Sequence, residues 1–471
     1  MKELEVDLVV IGAGPAGQKG AIQGAKAGKK VAIIDRLGLL GGASLHHGTI
    51  PSKALRSAIL DLSGFMQSTY YGGQHYTLRE ITMTDLTARI QKVIDDSCSQ
   101  LDEQCAGNGV EVVYGSARFV DPHLVEALDA DGKVLARVRA DKALIATGSR
   151  PRHPIDIPPD RSIFLDSDEV FRLESLPESL LVLGGGVIGC EYATMFAALG
   201  VEVTLVERRK SVLRMLDGEI GTHFVNYIQE MGVKLLLGRG IDELRPDDEG
   251  RAQIVFDDGE TLEAERLFYS MGRIGNLEGL GLEEIGVEID KLGNISVNPL
   301  FQTSCANIYA AGDVIGPPGL ASTSVEQGRL AIRNAFTLHS HHFPKFFPYG
   351  IYTIPEISSV GPTEEELNQK GVNFEVGRAS YHEIARGPIA ADNSGIIKLI
   401  FHAETLEVLS VHIIGTHATE LISLGQMALN FRVRIDYFVD TIFNYPTFAE
   451  GFRIAALNGL NKIPEAEENW S

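Results

Sequence analysis

A chain of 471 residues, 44% hydrophobic and 22% charged, is long enough for two to four domains, and it lacks the run of about 18 apolar residues that would span a membrane. A formal net charge of −21 disfavours nucleic acid and anionic membrane surfaces, so an anionic ligand has to be met by local donors. The four scattered cysteines, Cys98, Cys105, Cys190 and Cys305, form neither a CxxC pair nor a zinc spacing, and Met1–Asp7 lacks a signal-peptide pattern; both features point to reduced thiols and a cytoplasmic protein.

In chain order, Leu8-Val9-Val10-Ile11 reads as a short apolar strand that turns through Gly12-Ala13-Gly14-Pro15-Ala16-Gly17 into a helix ending at Gly28. A second strand, Val31–Ile34, is closed by Asp35 and followed by Arg36. Glycines at this spacing allow a tight turn and close backbone approach to a pyrophosphate, free N–H groups at the helix start bind the anion, and the acid accepts from a ribose hydroxyl. A lone GxGxxG also marks ordinary turns; the whole strand-turn-helix-strand-acid order is far more specific. Asp85 to Gly107 is a polar helical stretch with Cys98 and Cys105 two turns apart on one face, too far apart for a disulfide.

Leu144 to Ser149 is a returning strand, and the Pro-rich run from Pro151 to Pro159 reads as a linker. The first unit then recurs. Leu181–Leu183 leads into Gly184-Gly185-Gly186-Val187-Ile188-Gly189, a helix ends at Gly200, and Val201–Val206 is closed by Glu207. Gly12, Gly14, Gly17, Gly28 and Asp35 map onto Gly184, Gly186, Gly189, Gly200 and Glu207 with one displacement of 172 positions, which predicts two dinucleotide sites. Glu207 suits the 2′-hydroxyl of NAD and repels a 2′-phosphate, whereas Arg208 and Arg209 either pair with that phosphate or lie solvated.

Leu267 to Arg273 is a second returning strand, and Ile308-Tyr309-Ala310-Ala311-Gly312-Asp313 is a buried strand ending in an acid. From about residue 345 the pattern changes to a hairpin, Ile396–Phe401 and Val408–Ile414, followed by helical stretches Thr419 to Asn430 and Pro446 to Asn461. His339, His341 and His342 read as a polar interdomain loop rather than a metal tract, and no metal is expected.

The stretch Gly41-Gly42-Ala43-Ser44-Leu45-His46-His47-Gly48-Thr49-Ile50-Pro51-Ser52-Lys53 resembles the redox loop of the pyridine nucleotide-disulfide oxidoreductases, and the resemblance runs from about residue 5 to about residue 462. That family stacks a disulfide, from two cysteines four residues apart, on a flavin. Ser44 and Thr49 hold those two positions here, so the resemblance implies a loop that holds the isoalloxazine without a dithiol relay. The implied fold is α/β: two Rossmann-like nucleotide-binding domains plus a C-terminal α+β dimerisation domain. Residues 1–150 and 275–344 would form a discontinuous FAD-binding domain, 151–274 an inserted NAD(P)-binding domain, and 345–471 the interface of a homodimer or larger homo-oligomer.

The resemblance also implies roles. FAD would be held by Gly12, Gly14, Pro15, Ala16, Gly17, Asp35 and Arg36, by Gly42, Ser44, Thr49 and Lys53, and by Thr147 and Gly148. Gly312 and Asp313 would meet the ribityl chain, and the helix starting after Leu320 at Ala321 would direct its dipole at the flavin pyrimidine. NAD(H) and NADP(H), as substrates, would use Gly184, Gly186, Val187, Ile188, Gly189, Glu207, Arg208 and Gly272; Val187 stands where some relatives carry a gating tyrosine. Lys53 matches the lysine at flavin N5 and Glu191 its carboxylate partner, the two residues expected to be catalytic. His46 and His47 either touch the ring or pack. Tyr445 replaces the histidine that protonates a leaving thiol, and Glu450 is structural. The implied reaction is hydride exchange between NADPH and NAD⁺ through FAD; the alternatives are a diaphorase-type NAD(P)H dehydrogenase acting on a quinone or other acceptor, and a flavin-binding redox sensor.

Overall fold

The computed structural model describes residues 2–36, 38, 40–63, 82–153, 155–158, 160–339 and 342–463. The chain divides into two compact units, residues 1–55, 87–154 and 271–343 in the first and 56–86, 155–270 and 344–471 in the second.

The first unit is built on a sheet with the strand order Glu111–Tyr114, Val31–Asp35, Lys2–Ile11, Val134–Ile145, Leu124–Leu128 and Ser116–Asp121. Ile308–Ala310 runs parallel to the end of Val134–Ile145, so a segment from late in the sequence completes the sheet. Its first strand is longer than the apolar run Leu8–Ile11 suggests, because Lys2–Val6 pairs with Ala136–Ala140. Along that strand Val9 and Ile11 enter one core and Leu8 and Val10 the other, the period-two signature of a sheet covered on both faces. Helices Pro15–Lys26 and Ala321–Ala335 pack so closely that a Cβ on Gly328 would lie 2.0 Å from the Ala16 carbonyl oxygen.

The second unit contains a parallel sheet in the order Lys234–Leu237, Glu202–Glu207, Ser179–Leu183, Arg266–Tyr269 and Phe164–Leu165. A three-stranded antiparallel meander spans Ile241–Ala264, and a five-stranded antiparallel sheet follows in the order Tyr349–Ile351, Ile357–Val360, Val408–Ile414, Ile396–His402 and Phe374–Ser380. Helices Ala418–Asn430 and Gly451–Leu460 belong to its core, with Ile422 and Phe452 beside Ile397, Leu399, Val411 and Ile413. The hairpin and the first of the two helical regions therefore form where the sequence pattern puts them.

Three expectations need correction. The stretch 41–53 is not a loop: Gly42–His46 and Thr49–Ser63 are helices, separated by a break at His47 and Gly48. Gly41, at φ +107°, turns the chain into the first, and Pro51 falls in the opening turn of the second, where no N–H is needed. Leu267 to Arg273 is two strands, because Ser270–Gly272 breaks the chain before Arg273–Gly275 pairs antiparallel with Ser149–Pro151. Near the C-terminus a 3-10 turn, Phe448–Glu450, precedes the helix, which starts at Gly451 rather than at Pro446.

Candidate functional site

The two glycine turns repeat in geometry what they repeat in sequence. Gly12 and Gly184 have φ of +98° and +108°, and a Cβ there would lie 2.4 Å from the Ala146 carbonyl oxygen and 2.6 Å from that of Ser270. A Cβ on Gly17 or Gly189 would be 1.9 Å from the carbonyl oxygen of Gly12 or Gly184, which locks each helix onto its strand. The middle glycines differ. Gly14 (φ −69°) and Gly186 (φ −81°) have ordinary backbones; a Cβ would meet nothing nearer than 4.0 Å at the first and nothing within 4 Å at the second. Neither strain nor packing within the described residues requires glycine there.

Pro15–Lys26 and Val187–Ala198 begin without a side-chain cap, so their first N–H groups remain available to an anion. Each turn follows a strand, Lys2–Ile11 or Ser179–Leu183, that is flanked on both sides by parallel neighbours, the switch point at which open α/β sheets bind ligands.

The acids closing the second strands have a shared structural duty. Asp35 Oδ2 accepts from the Ala13 N–H at 2.8 Å, and Glu207 Oε2 accepts from the Gly185 N–H at 2.7 Å. Glu207 Oε1 also accepts from the Arg209 N–H at 2.8 Å, so this carboxylate braces both the glycine turn and the arginine pair while keeping lone pairs for a ribose. Arg36, Arg208 and Arg209 are exposed, and Val187 is half-buried at the first helical position. Ile188 follows it, also half-buried.

In the first unit, Gly42 lies against the Gly14 turn: a Cβ on it would be 2.8 Å from the Gly14 Cα. Ser44 is half-buried, Thr49 exposed, and Lys53 sits in the second turn of its helix with Nζ 3.3 Å from Ser52 Oγ. His46 packs, with Nε2 2.9 Å from the Leu40 carbonyl oxygen and 4.0 Å from Cys98 Sγ. Thr147 donates its hydroxyl to the Asn276 carbonyl at 2.8 Å, and Asn276 donates back to the Thr147 carbonyl at 3.0 Å. Gly148 and Gly272 have φ of +70° and +100°, and Gly312, at +83°, gives its N–H to Gln327 Oε1 at 2.9 Å. Asp313 accepts from Ser149, and Leu320 precedes an uncapped helix that begins at Ala321.

In the second unit, Glu191 is 4% exposed and its Oε1 accepts from the Tyr352 N–H at 2.8 Å. Thr194, one turn on, accepts from the Ile354 N–H at 3.1 Å. Arg56 joins this part of the unit by an ion pair to Glu356 at 3.1 Å and a hydrogen bond from Nε to the Thr353 carbonyl at 3.1 Å. Sequence reasoning missed Arg56, although its place three residues after Lys53, on the same helix face, was a usable signal.

The cysteines are all unbridged; Cys105 and Cys190 are buried, and burial raises both thiol pKa values. No group of three or more His, Cys, Asp or Glu side chains among the described residues is placed to hold a metal, and His341 lies outside them. Among the described residues no helix is long and apolar enough to cross a membrane.

Two Rossmann-type turns with matching glycine and acid geometry define a class of protein that handles two dinucleotides. Residues 6–328 match the family model described as pyridine nucleotide-disulphide oxidoreductase, and residues 347–456 match that family's dimerisation domain. The chain belongs to the pyridine nucleotide-disulphide oxidoreductase family. It is 44% identical to a soluble pyridine nucleotide transhydrogenase of Mycobacterium bovis, with 98% of each chain covered. It is 39% identical to the protein of the same name from Escherichia coli, over 98% of this chain and 99% of that one. Among solved structures, LpdA from Mycobacterium tuberculosis superimposes with a TM-score of 0.88 at 26% identity, covering 96% of this chain and 99% of that one. The HOCl-induced flavoprotein disulfide reductase RclA from Escherichia coli shares the fold, with a TM-score of 0.85 at 24% identity over the same shares.

Proposed function

We propose that this protein is an FAD-dependent transhydrogenase that passes hydride between NADPH and NAD⁺ without a redox-active disulfide. The observation that carries the reading is the uncrowded middle glycine of both turns, Gly14 and Gly186, which the protein's own packing does not explain and a pyrophosphate does. The relatives' shared name points the same way, as do the hydroxyl side chains of Ser44 and Thr49 at the two redox positions.

FAD, when bound, supplies the ring that takes hydride from one nicotinamide and gives it to the other. The chain does the rest. Gly12–Gly17 and the first N–H groups of Pro15–Lys26 hold the pyrophosphate, Asp35 the adenine ribose and Asp313 the ribityl hydroxyls, while Ser44, Thr49, Thr147 and Gly148 line the remainder. Lys53 provides the cation near the ring and Glu191 is the second catalytic residue, roles supported by their motif match. Gly184–Gly189, Glu207, Arg208 and Gly272 receive NAD(H) or NADP(H). The division into residues 1–150, 151–274, 275–344 and 345–471 belongs to this reading, as does a cytoplasmic location.

The reading includes a homodimer. Phe431, Ile442 and Tyr445 are 77%, 93% and 68% exposed within the stretch matched as the dimerisation domain, and Glu450 Oε2 is buried without a hydrogen-bond partner among the described residues. Contact with a second copy would cover the first three and give Glu450 a donor.

Anaerobic mixing tests the activity. NADPH should bleach the yellow protein, NAD⁺ should restore its colour, and thio-NAD⁺ should be reduced by NADPH with no other acceptor present. A colourless protein that takes up no FAD, or one that turns over only with a quinone, sinks the proposal; the second result favours a dehydrogenase of the diaphorase type. Iodoacetamide should leave exchange largely intact, and lipoamide, glutathione disulfide and mercuric ion should not be reduced. Loss of exchange on alkylation would restore a role for a thiol.

The arginine pair gives a specificity test. Replacing Arg208 and Arg209 with alanine should raise KM for NADPH about 10-fold or more, and KM for NADH far less, because a guanidinium pairs with the 2′-phosphate. Equal effects on both KM values would place the phosphate contact elsewhere.

A further inference from the structure

Three side chains in the first unit form a chain of hydrogen bonds that ends on Asp313. The Arg273 guanidinium donates through Nε to Ser149 Oγ at 2.8 Å and through Nη2 to the Ser149 carbonyl at 2.8 Å. Ser149 Oγ donates in turn to Asp313 Oδ2 at 2.8 Å. The direction of each bond is fixed by chemistry. A guanidinium has donors only, so the serine oxygen must accept from it, and the one hydroxyl proton is left for the carboxylate.

The scaffold around these groups holds them in place. Ser149–Pro151 and Arg273–Gly275 form a short antiparallel ladder, and Arg150 Nη1 donates to the Gly275 carbonyl at 3.3 Å. The ladder joins the point where the chain leaves the first unit to the point where it returns. Ser149 is 8% exposed, so water does not compete freely for its hydroxyl. Asp313 follows Gly312, whose φ of +83° and N–H bond to Gln327 set the direction of the turn.

We infer that Ser149 is a positioning residue: aligned by Arg273, it engages Oδ2 of Asp313 and thereby fixes the carboxylate so that Oδ1 is presented to a ribityl hydroxyl of FAD. This rests on the FAD reading above. The serine touches no ligand in this account; it orients the residue that does. A carboxylate with one oxygen engaged and its plane set loses less rotational freedom when the other oxygen takes a ligand hydrogen bond.

The test is the rate at which FAD leaves the purified holoprotein, followed by the rise of flavin fluorescence after dilution to a concentration at which released FAD does not rebind. Ser149→Ala should speed release roughly 10-fold, the size of one hydrogen bond to a charged group, and Ser149→Thr, which keeps the hydroxyl, should restore slow release. Asp313→Asn should also speed release, and adding Ser149→Ala to it should change little further, because the relay then has no carboxylate to orient. Additive effects of the two substitutions, an unchanged rate in Ser149→Ala, or failure of Ser149→Thr to rescue overturns the inference. Protein purified without flavin overturns the FAD reading itself; normal flavin content with an unaffected Ser149→Ala rate overturns only the relay.

Discussion

Lys398→Met is expected to destabilise the second unit by about 3–5 kcal/mol at neutral pH, the cost of removing one partner from a buried ion cluster. The Lys398 side chain is 1% exposed, and its ammonium lies 2.8 Å from Asp217, 3.0 Å from Glu219 and 2.6 Å from Glu364. Asp217 is itself fully buried, caps helix Gly218–Glu230 through the Glu219 N–H, and accepts from the Glu364 N–H. Arg378 also pairs with Glu219, at 2.7 Å, but with Lys398 gone Asp217 loses its ion pair. Thermal unfolding should shift down by on the order of 10 °C, and Asp217→Asn in the same chain should recover part of the loss. An unchanged melting curve at pH 7.5 would show that the cluster is spectator chemistry.

The same cluster sets a pH dependence. Burial alone would raise the carboxyls of Asp217 and Glu219, but Lys398, with Arg378 at Glu219 and His412 near Asp217, outweighs it and holds both below their usual values. Burial would lower Lys398, yet its hydrogen bonds to Asp217 and Glu364 keep it above its usual 10.5. Burial lowers His412 below 6.5, opposed by Asp217, the Pro362 carbonyl and Glu365 and aided by Lys398. Groups lowered on folding stabilise above their unfolded values and lose that contribution as pH falls through the folded ones. The raised lysine contributes fully below 10.5 and loses its share as pH rises through its folded value. Stability should therefore be greatest between about pH 7 and 10 and fall on acidification, first as His412 is forced to charge and then as the carboxylates protonate. Lys398→Met should flatten the carboxylate part of that acid limb.

What the sequence made legible was repeated local chemistry. The glycine turns, their closing acids and the displacement of 172 positions are all short-range patterns, and the structure reproduces them down to equivalent hydrogen bonds at Asp35 and Glu207. The strand Ile308–Ala310 was assigned to the first sheet through resemblance, and its pairing with Val134–Ile145 agrees. Lys398 shows where such reading stops. Within Ile396–Phe401 it looks like the solvent-facing position of a hairpin strand, and nothing local predicts that partners 181 and 34 residues away bury it. Ser149 was passed over for the same reason, since its neighbours Asp313 and Arg273 are 164 and 124 residues distant. The stretch 41–53 differs for another reason: the resemblance to a redox loop implies a loop, whereas its glycines start and separate two helices.

Lys53→Met is expected to slow reduction of bound FAD by NADPH by roughly 10- to 10³-fold, the range found when one preorganised electrostatic group is removed from a site. Lys53 lies in the second turn of Thr49–Ser63, held by a helix that starts one residue after Gly48 and carries Pro51 in its first turn. A backbone fixed in this way delivers the ammonium to one place without reorganisation at the moment of hydride arrival, which is the condition under which a charge lowers a barrier rather than merely aiding binding. Methionine keeps the length and most of the apolar stem, so the substitution removes charge with little change in packing. Binding and chemistry should therefore separate: flavin content and the FAD release rate should stay near those of the parent protein, while the stopped-flow bleaching rate falls. Glu191→Gln, at the other position the motif match marks as catalytic, should give a smaller decrease in the same direction, while its neutral amide can still accept from the Tyr352 N–H. Parent-like bleaching in Lys53→Met would remove this lysine from the reacting site and leave its helix a purely structural role.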